Sequence, residues 1–344
     1  MTDTNSLATA RRAGEQSTPA AARTRRRFDV RSGVEIGALL LLVVIFSVLN
    51  QRSFPTVDNL RTILDQAATP LIIGVGATLV ILLGCIDLSV EGLMSVCGLA
   101  FVLLSANSRG PGDLGIWAIV IGIGVGALLG LANGLVHTLL SVPSFIVTLG
   151  VGFVAFGLAT ILFGEDQLPF LRNTTLTSWP VQRFLGFPYS FWLAFMFVAV
   201  GALVSRYTRI GRYTYAIGDN ELIARHNGVP VNRYKILVFT IAGACSGMAG
   251  ILGTMELGSA PARIGIGTLF LTIAAVVIGG TSLGGGRGGI LRTAVGVLLL
   301  TVLNNGLILS GVSPNVQSGV SGGILIIAIV AAAWPYRGRL RIVK

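Results

Sequence analysis

The chain has 344 residues, of which 53% are hydrophobic and 11% charged, whereas a soluble domain carries about 25% charged residues. Its apolar runs are close to the ~20 residues that carry a helix across hydrocarbon, so a soluble globular domain is excluded. The prediction is an all-α polytopic membrane protein. The net charge of +11 does not indicate nucleic-acid binding, because its placement follows membrane topology, as the intervals below show.

Ten transmembrane helices are predicted, at 34–50, 66–84, 88–106, 115–138, 144–164, 190–205, 236–257, 268–283, 290–310 and 316–334. With the N-terminus inside, nineteen Lys and Arg residues fall in cytoplasmic intervals and six in external ones. That asymmetry gives an N-in, C-in topology by the positive-inside rule.

Taken in order, residues 1–33 read as a disordered basic cytoplasmic tail, too poor in apolar residues to fold. The transmembrane body spans 34–335, and a short basic tail occupies 336–344. Residues 51–65 read as an external connector, broken at Phe54-Pro55, with Asp58-Asn59 capping a short amphipathic helix. From Pro70 to Leu104 the chain is apolar for too long to be one crossing. The break is placed at Gly84 to Ser89, where a glycine and a charge coincide.

Gly122, Gly126, Gly130 and Gly134 recur at i, i+4, which lines one helix face and lets another backbone approach. Residues 165–189, with Trp179, Phe184, Phe187 and Tyr189, read as an external interfacial loop. Asn133-Gly134-Leu135 with Pro143 is echoed by Asn305-Gly306-Leu307 with Pro314, and an inverted repeat of 66–164 and 236–334 would produce that echo.

The longest polar interval after the tail is 206–235. Asn220 is a good N-cap, Glu221 suits the positive end of a helix, and Asn227-Gly228 before Pro230 stops it. A helix of two turns is predicted at 221–227. So short a helix is marginal alone, so Leu222, Ile223 and Ala224 are expected to rest on another protein.

Gly279 to Gly289 (GGTSLGGGRGG) lacks the Lys-Ser/Thr of a phosphate loop. It reads as a tight unwound turn facing a cavity or partner. Asp87 and Glu91, four apart, share a helix face; Asp87 reads as the cap of span three with help from Ser89, and the competing reading puts both carboxylates beside a translocation path. Asn304, Asn305 and Gln317 are either interhelical hydrogen-bonding groups or amide contacts for a polyhydroxylated solute. Glu256 is placed to meet a periplasmic partner. Cys85, Cys97 and Cys245 read as small packing residues, and His137 and His226 are too separated to suggest a metal site.

The stretches YAIGDNELIARHNGVPVNRYKI, IAAVVIGGTSLGGGRGG, VLNNGLILSGVSP, IDLSV and PSFIVTLG together resemble the membrane permease subunit of ribose-type ABC sugar importers, over roughly 55–334. The resemblance implies a non-enzymatic permease in the bacterial inner membrane that binds no cofactor itself. It implies a cytoplasmic ATP-binding subunit holding ATP-Mg, a periplasmic sugar-binding protein, and a second permease copy, identical or paralogous. It further implies that Asn220, Glu221, Ala224, Arg225 and Gly228, with Leu222 and Ile223 between them, form the ATPase-coupling element. From the residues themselves, Asp87, Ser89, Glu91, Asn304, Asn305 and Gln317 are the ones expected along a substrate path. The chain departs from the family pattern at Leu222-Ile223, Cys85 and Glu91. An ion-coupled secondary transporter, or an ABC permease for a non-sugar solute, is the alternative reading.

Overall fold

The computed structural model describes residues 30–164, 167–313 and seven positions between 316 and 326. The predicted terminal tails, apart from residues 30–33, and most of the span predicted at 316–334 lie outside the described residues.

Most of the described chain is helical. The elements are α1 (Val30–Leu49), α2 (Val57–Leu82), α3 (Val90–Leu104), α4 (Ile116–Leu139), α5 (Ser144–Phe163), α6 (Thr174–Ser178), α7 (Tyr189–Tyr207), α8 (Arg209–Asp219), α9 (Glu221–His226), α10 (Val231–Leu257), α11 (Thr268–Ile278) and α12 (Ile290–Leu309). Six of them, α2, α4, α5, α7, α10 and α12, are long and apolar enough to cross a membrane, and α1, α3 and α11 are shorter apolar helices.

The centre of the bundle is made by α2 and α10, each buried around most of its circumference, whereas α4, α5 and α7 turn apolar faces outward. The most extensive helix contact joins α4 to α10, and the glycine stripe is its cause. A Cβ on Gly126 would stand 2.4 Å from the Gly243 carbonyl oxygen, and one on Gly130 would stand 2.3 Å from that of Phe239. Here backbone packs on backbone, which only small residues permit.

Three sequence expectations are corrected by the fold. The amphipathic helix expected within 51–65 is the first part of α2 itself. Its N-cap is Thr56, whose hydroxyl accepts the Asn59 N–H at 3.1 Å, rather than Asp58 or Asn59. The interval 206–235 holds three helical pieces instead of one: α8 fills 209–219, and α10 begins at Val231, five residues before the expected span. The loop 165–189 contains helix α6 and a two-stranded hairpin, β1 (Arg183–Phe184) and β2 (Phe187–Pro188), turning at Leu185-Gly186 with both φ positive. Trp179 stacks on Tyr189 with ring centroids 5.6 Å apart and so ties this loop to the start of α7.

The glycine-rich segment 279–289 packs on its own chain. Gly286 N–H donates to the carbonyl of Leu82 at 2.9 Å, which satisfies the C-terminal end of α2. A Cβ on Gly285 (φ +83) would sit 2.8 Å from the Gly84 nitrogen, and one on Gly286 2.8 Å from Asp219 Cα. The unwound turn is thus wedged between the ends of α2 and α8.

Candidate functional site

Local chemistry explains α9. The Asn220 side-chain oxygen accepts the Ile223 N–H at 3.0 Å and starts the helix. At the other end Gly228 takes φ +77, its N–H reaches the Arg225 carbonyl, and Val229 N–H reaches that of Ala224, the pattern of a left-handed glycine stop.

Two carboxylate contacts hold this short helix in place. One Glu221 oxygen accepts from Arg225 Nη2 at 2.9 Å, one turn along, and the other accepts from Lys235 Nζ at 2.8 Å, across from the first turns of α10. The Lys235 side chain is 11% exposed. Burial of Glu221 works against ionisation, but hydrogen bonds from Lys235 and Arg225, together with their charges, outweigh it. The carboxyl therefore titrates below its ordinary range.

Ala224 is buried against the body of this chain, which corrects the expectation that it rests on another protein. Leu222 and Ile223 are 69% and 59% exposed and point away from that body. An anchored helix that presents two large aliphatic side chains to solvent is suited to meeting a second surface. Sequence reasoning missed Lys235. Its only signal was a basic residue at the polar margin of an apolar run, fourteen positions from Glu221.

A second polar group lies where the chain breaks between α2 and α3. Asp87 Oδ1 accepts the Ser89 N–H at 2.8 Å and the Ser89 hydroxyl at 2.5 Å. Ser89 Oγ also accepts from Asn133 Nδ2 of α4 at 2.9 Å and makes no cap bond to α3. Asp87 therefore closes the turn before α3, while Ser89 bridges to a neighbouring helix. Asp87, Thr272 of α11 and Ile81 of α2 line a cavity of about 100 Å³, room for a few water molecules at ~30 Å³ each.

Glu91 does something that the sequence did not suggest. Its Oε1 accepts the N–H of Gly267 at 2.9 Å and of Leu269 at 3.1 Å, so it caps the start of α11 from another helix. A carboxylate there satisfies orphan donors and faces the positive end of the helix dipole.

The remaining expected site residues are not gathered with these. Asn305 of α12 is 3% exposed, and its side-chain oxygen has no hydrogen-bond partner among the described residues; Asn133 of α4 shows the same pattern at 0%. The two echoed Asn-Gly pairs thus share a chemical state, each with a buried amide beside a tightly packed glycine: Gly134 faces Ile236 and Gly306 faces Phe46. Asn304 is half-buried beside Asn305. Gln317 spends its amide on the Val312 carbonyl, at 2.7 Å. Glu256 lies exposed in the last turn of α10.

Cys85, Cys97 and Cys245 are free and buried, in keeping with packing roles. Cys85 Sγ lies 3.7 Å from His137 Nε2, so that histidine has a companion the sequence did not reveal. Among the described residues no three His, Cys, Asp or Glu side chains are grouped to hold a metal ion.

Residues 59–329 match the family described as branched-chain amino acid transport system / permease component. The chain is 36% identical to a ribose import permease protein of Escherichia coli K12 over 296 residues, covering 85% of this chain and 91% of that protein. It is 38% identical to the ribose import permease protein of Bacillus subtilis 168, over 85% of this chain and 89% of that one. Identity to the D-allose transport system permease protein of Escherichia coli K12 is 30%, over 85% and 88% of the two chains. No solved structure matches the chain.

Proposed function

Since the chain belongs to the branched-chain amino acid transport system / permease component family, we propose that it is the multi-pass inner-membrane permease of an ATP-driven sugar importer. Relatives named for ribose and for D-allose import, similar over most of their lengths, support a sugar or sugar-like polyol as the solute. The working unit adds a second permease copy, a cytoplasmic ATP-binding subunit that holds ATP-Mg, and a periplasmic sugar-binding protein. The sorting of Lys and Arg supports both ends inside, and in this reading the six long apolar helices and the three shorter ones supply nine of ten spans.

The observation that carries the mechanism is the pair Leu222 and Ile223, exposed on a helix whose other contacts are satisfied within the chain. The ATP-binding subunit grips this pair, with Asn220, Glu221, Ala224, Arg225 and Gly228 holding the helix rigid. Closure of that subunit on ATP then pulls α9, and Lys235 passes the displacement to α10. A lever transmits force only if it is fixed to what it moves, and the Glu221–Lys235 bond supplies the fixing.

The solute path is proposed to pass Asp87 and Ser89, supported by the cavity at Asp87, and to continue past Asn304 and Asn305 toward Gln317. Glu91 serves the path by holding the start of α11. Caps and turns account for both carboxylates on which an ion-coupled mechanism would have relied.

The test is uptake of labelled ribose and D-allose into liposomes holding the chain with its ATP-binding subunit and solute-binding protein. ATP-dependent uptake that is lost on Leu222→Asp/Ile223→Asp, at unchanged chain content, is the expected result. Uptake by the chain alone, insensitive to ATP and abolished by a protonophore, would overturn the proposal.

A further inference from the structure

A basic cleft opens beside the coupling region and takes no part in the mechanism above. Arg206 in the last turn of α7, Arg212 of α8 and Arg292 in the first turn of α12 line a cavity of about 580 Å³, and no carboxylate among the described residues lines it. Arg206 lies over the ring of Tyr207, its guanidinium carbon 5.4 Å from the centroid. Tyr215 donates to the Gly288 carbonyl at 3.0 Å and so ties α8 to the glycine-rich segment on the far wall. Arg292 and the Glu35 carboxylate both lie against Gly280, so the argument rests on Arg206 and Arg212, with the positive end of α12 adding to them.

The wall also holds Ser205, whose hydroxyl donates to the Ala202 carbonyl at 3.0 Å, and the apolar Ala202, Ile290 and Leu291, the last 63% exposed. From the cleft an apolar stripe continues up the outward face of α7 through Leu203, Val200 and Met196, at 56%, 52% and 50% exposure. Their i, i+3, i+7 spacing keeps them on one face. A pocket of guanidinium groups that leads onto a lipid-facing hydrocarbon stripe matches an amphiphile with an anionic head. Guanidinium binds phosphate oxygens in pairs, and basic pockets between membrane helices hold anionic lipid heads.

We propose that this cleft binds the phosphodiester headgroup of an anionic glycerophospholipid, whose acyl chains run along Leu203, Val200 and Met196. The site borders α8, so an occupied cleft would brace the helix that leads into the coupling element. The inference rests on the proposed topology only for the leaflet concerned.

The test uses the full chain in detergent micelles, delipidated and then offered phosphatidylglycerol or phosphatidylethanolamine, with retained lipid counted by native mass spectrometry. Phosphatidylglycerol is retained preferentially, and Arg206→Gln/Arg212→Gln weakens its retention about twenty-five-fold, at roughly fivefold for each basic side chain. Ala202→Trp, which fills the cleft without altering its charge, also expels the lipid, and so keeps the test open if the arginine variant does not fold. Retention unchanged in either folded variant overturns the proposal. So does displacement of the lipid by millimolar inorganic phosphate, which would mark a site for small anions. Loss of the co-purifying ATP-binding subunit at unchanged lipid content would likewise overturn it and mark a protein contact. Lipid retention needs no transport, so a chain that holds the lipid but imports no sugar refutes the importer reading alone.

Discussion

Glu221 and Lys235 form an ion pair at 2.8 Å that joins α9 to the first turns of α10. They lie fourteen positions apart in sequence, and the intervening stop at Gly228 brings the two helices together. The lysine is the more buried partner, its side chain 11% exposed against 40% for the glutamate. Removing the carboxylate therefore leaves a largely enclosed ammonium group without its counter-charge.

That asymmetry gives the first prediction. Glu221→Gln should destabilise the docked loop by about 1 kcal/mol, the upper range for a half-exposed pair, read as faster hydrogen exchange at amides 222–229. Glu221→Gln/Lys235→Met should recover much of the loss, because no buried charge is then left unpaired. The pair also sets a pH dependence. The folded carboxyl titrates below its ordinary 4.5, so its stabilisation is complete above that value and is lost as pH falls through the depressed one. Wild-type exchange should accelerate in that acid window, while the Glu221→Gln loop should show no such step.

A second prediction concerns the glycine stripe. Gly126→Val should cost about 3 kcal/mol or more through overpacking, since its Cβ would lie within 2.4 Å of the Gly243 carbonyl. Gly124→Val, two positions away with nothing within 4 Å, should be close to neutral. Apparent melting temperatures of both variants in detergent check this, and equal losses would refute backbone-to-backbone packing as the role of the stripe.

The third prediction separates the two carboxylates of the α3 region. Glu91→Ala removes the cap of α11 and should cost about 1–2 kcal/mol, whereas Glu91→Gln keeps a side-chain oxygen for Gly267 and Leu269 and should cost less. Melting temperatures in detergent read both variants. If Glu91 acted as an ion-coupling group, Gln and Ala would abolish uptake alike while leaving stability untouched.

The sequence predicts membrane helices well because each apolar run reports its own burial. The starts of α4, α5, α11 and α12 fall within one residue of expectation. The glycine face of α4 is legible for the same reason, as spacing within one helix fixes it. The α9 stop and start are local too, written in Asn220 and Gly228. Pairings across the chain are not legible: Glu221 with Lys235, Glu91 with the α11 start, Ser89 with Asn133 and Cys85 with His137. Each depends on how helices are placed beside one another, which no local pattern carries. The helix α8 was missed because the polar composition of 206–235 hides its apolar positions Ile210, Tyr213 and Ile217, which pack on the body of the protein.

The account turns on Leu222 and Ile223 being gripped by a separate motor. The direct measurement is crosslinking in intact cells from Leu222→Cys and from Ile223→Cys, positions whose side chains the fold leaves outward. A covalent adduct with an ATP-hydrolysing subunit at both positions is the expected result. No such adduct from either cysteine, each still open to a small maleimide, would contradict the account.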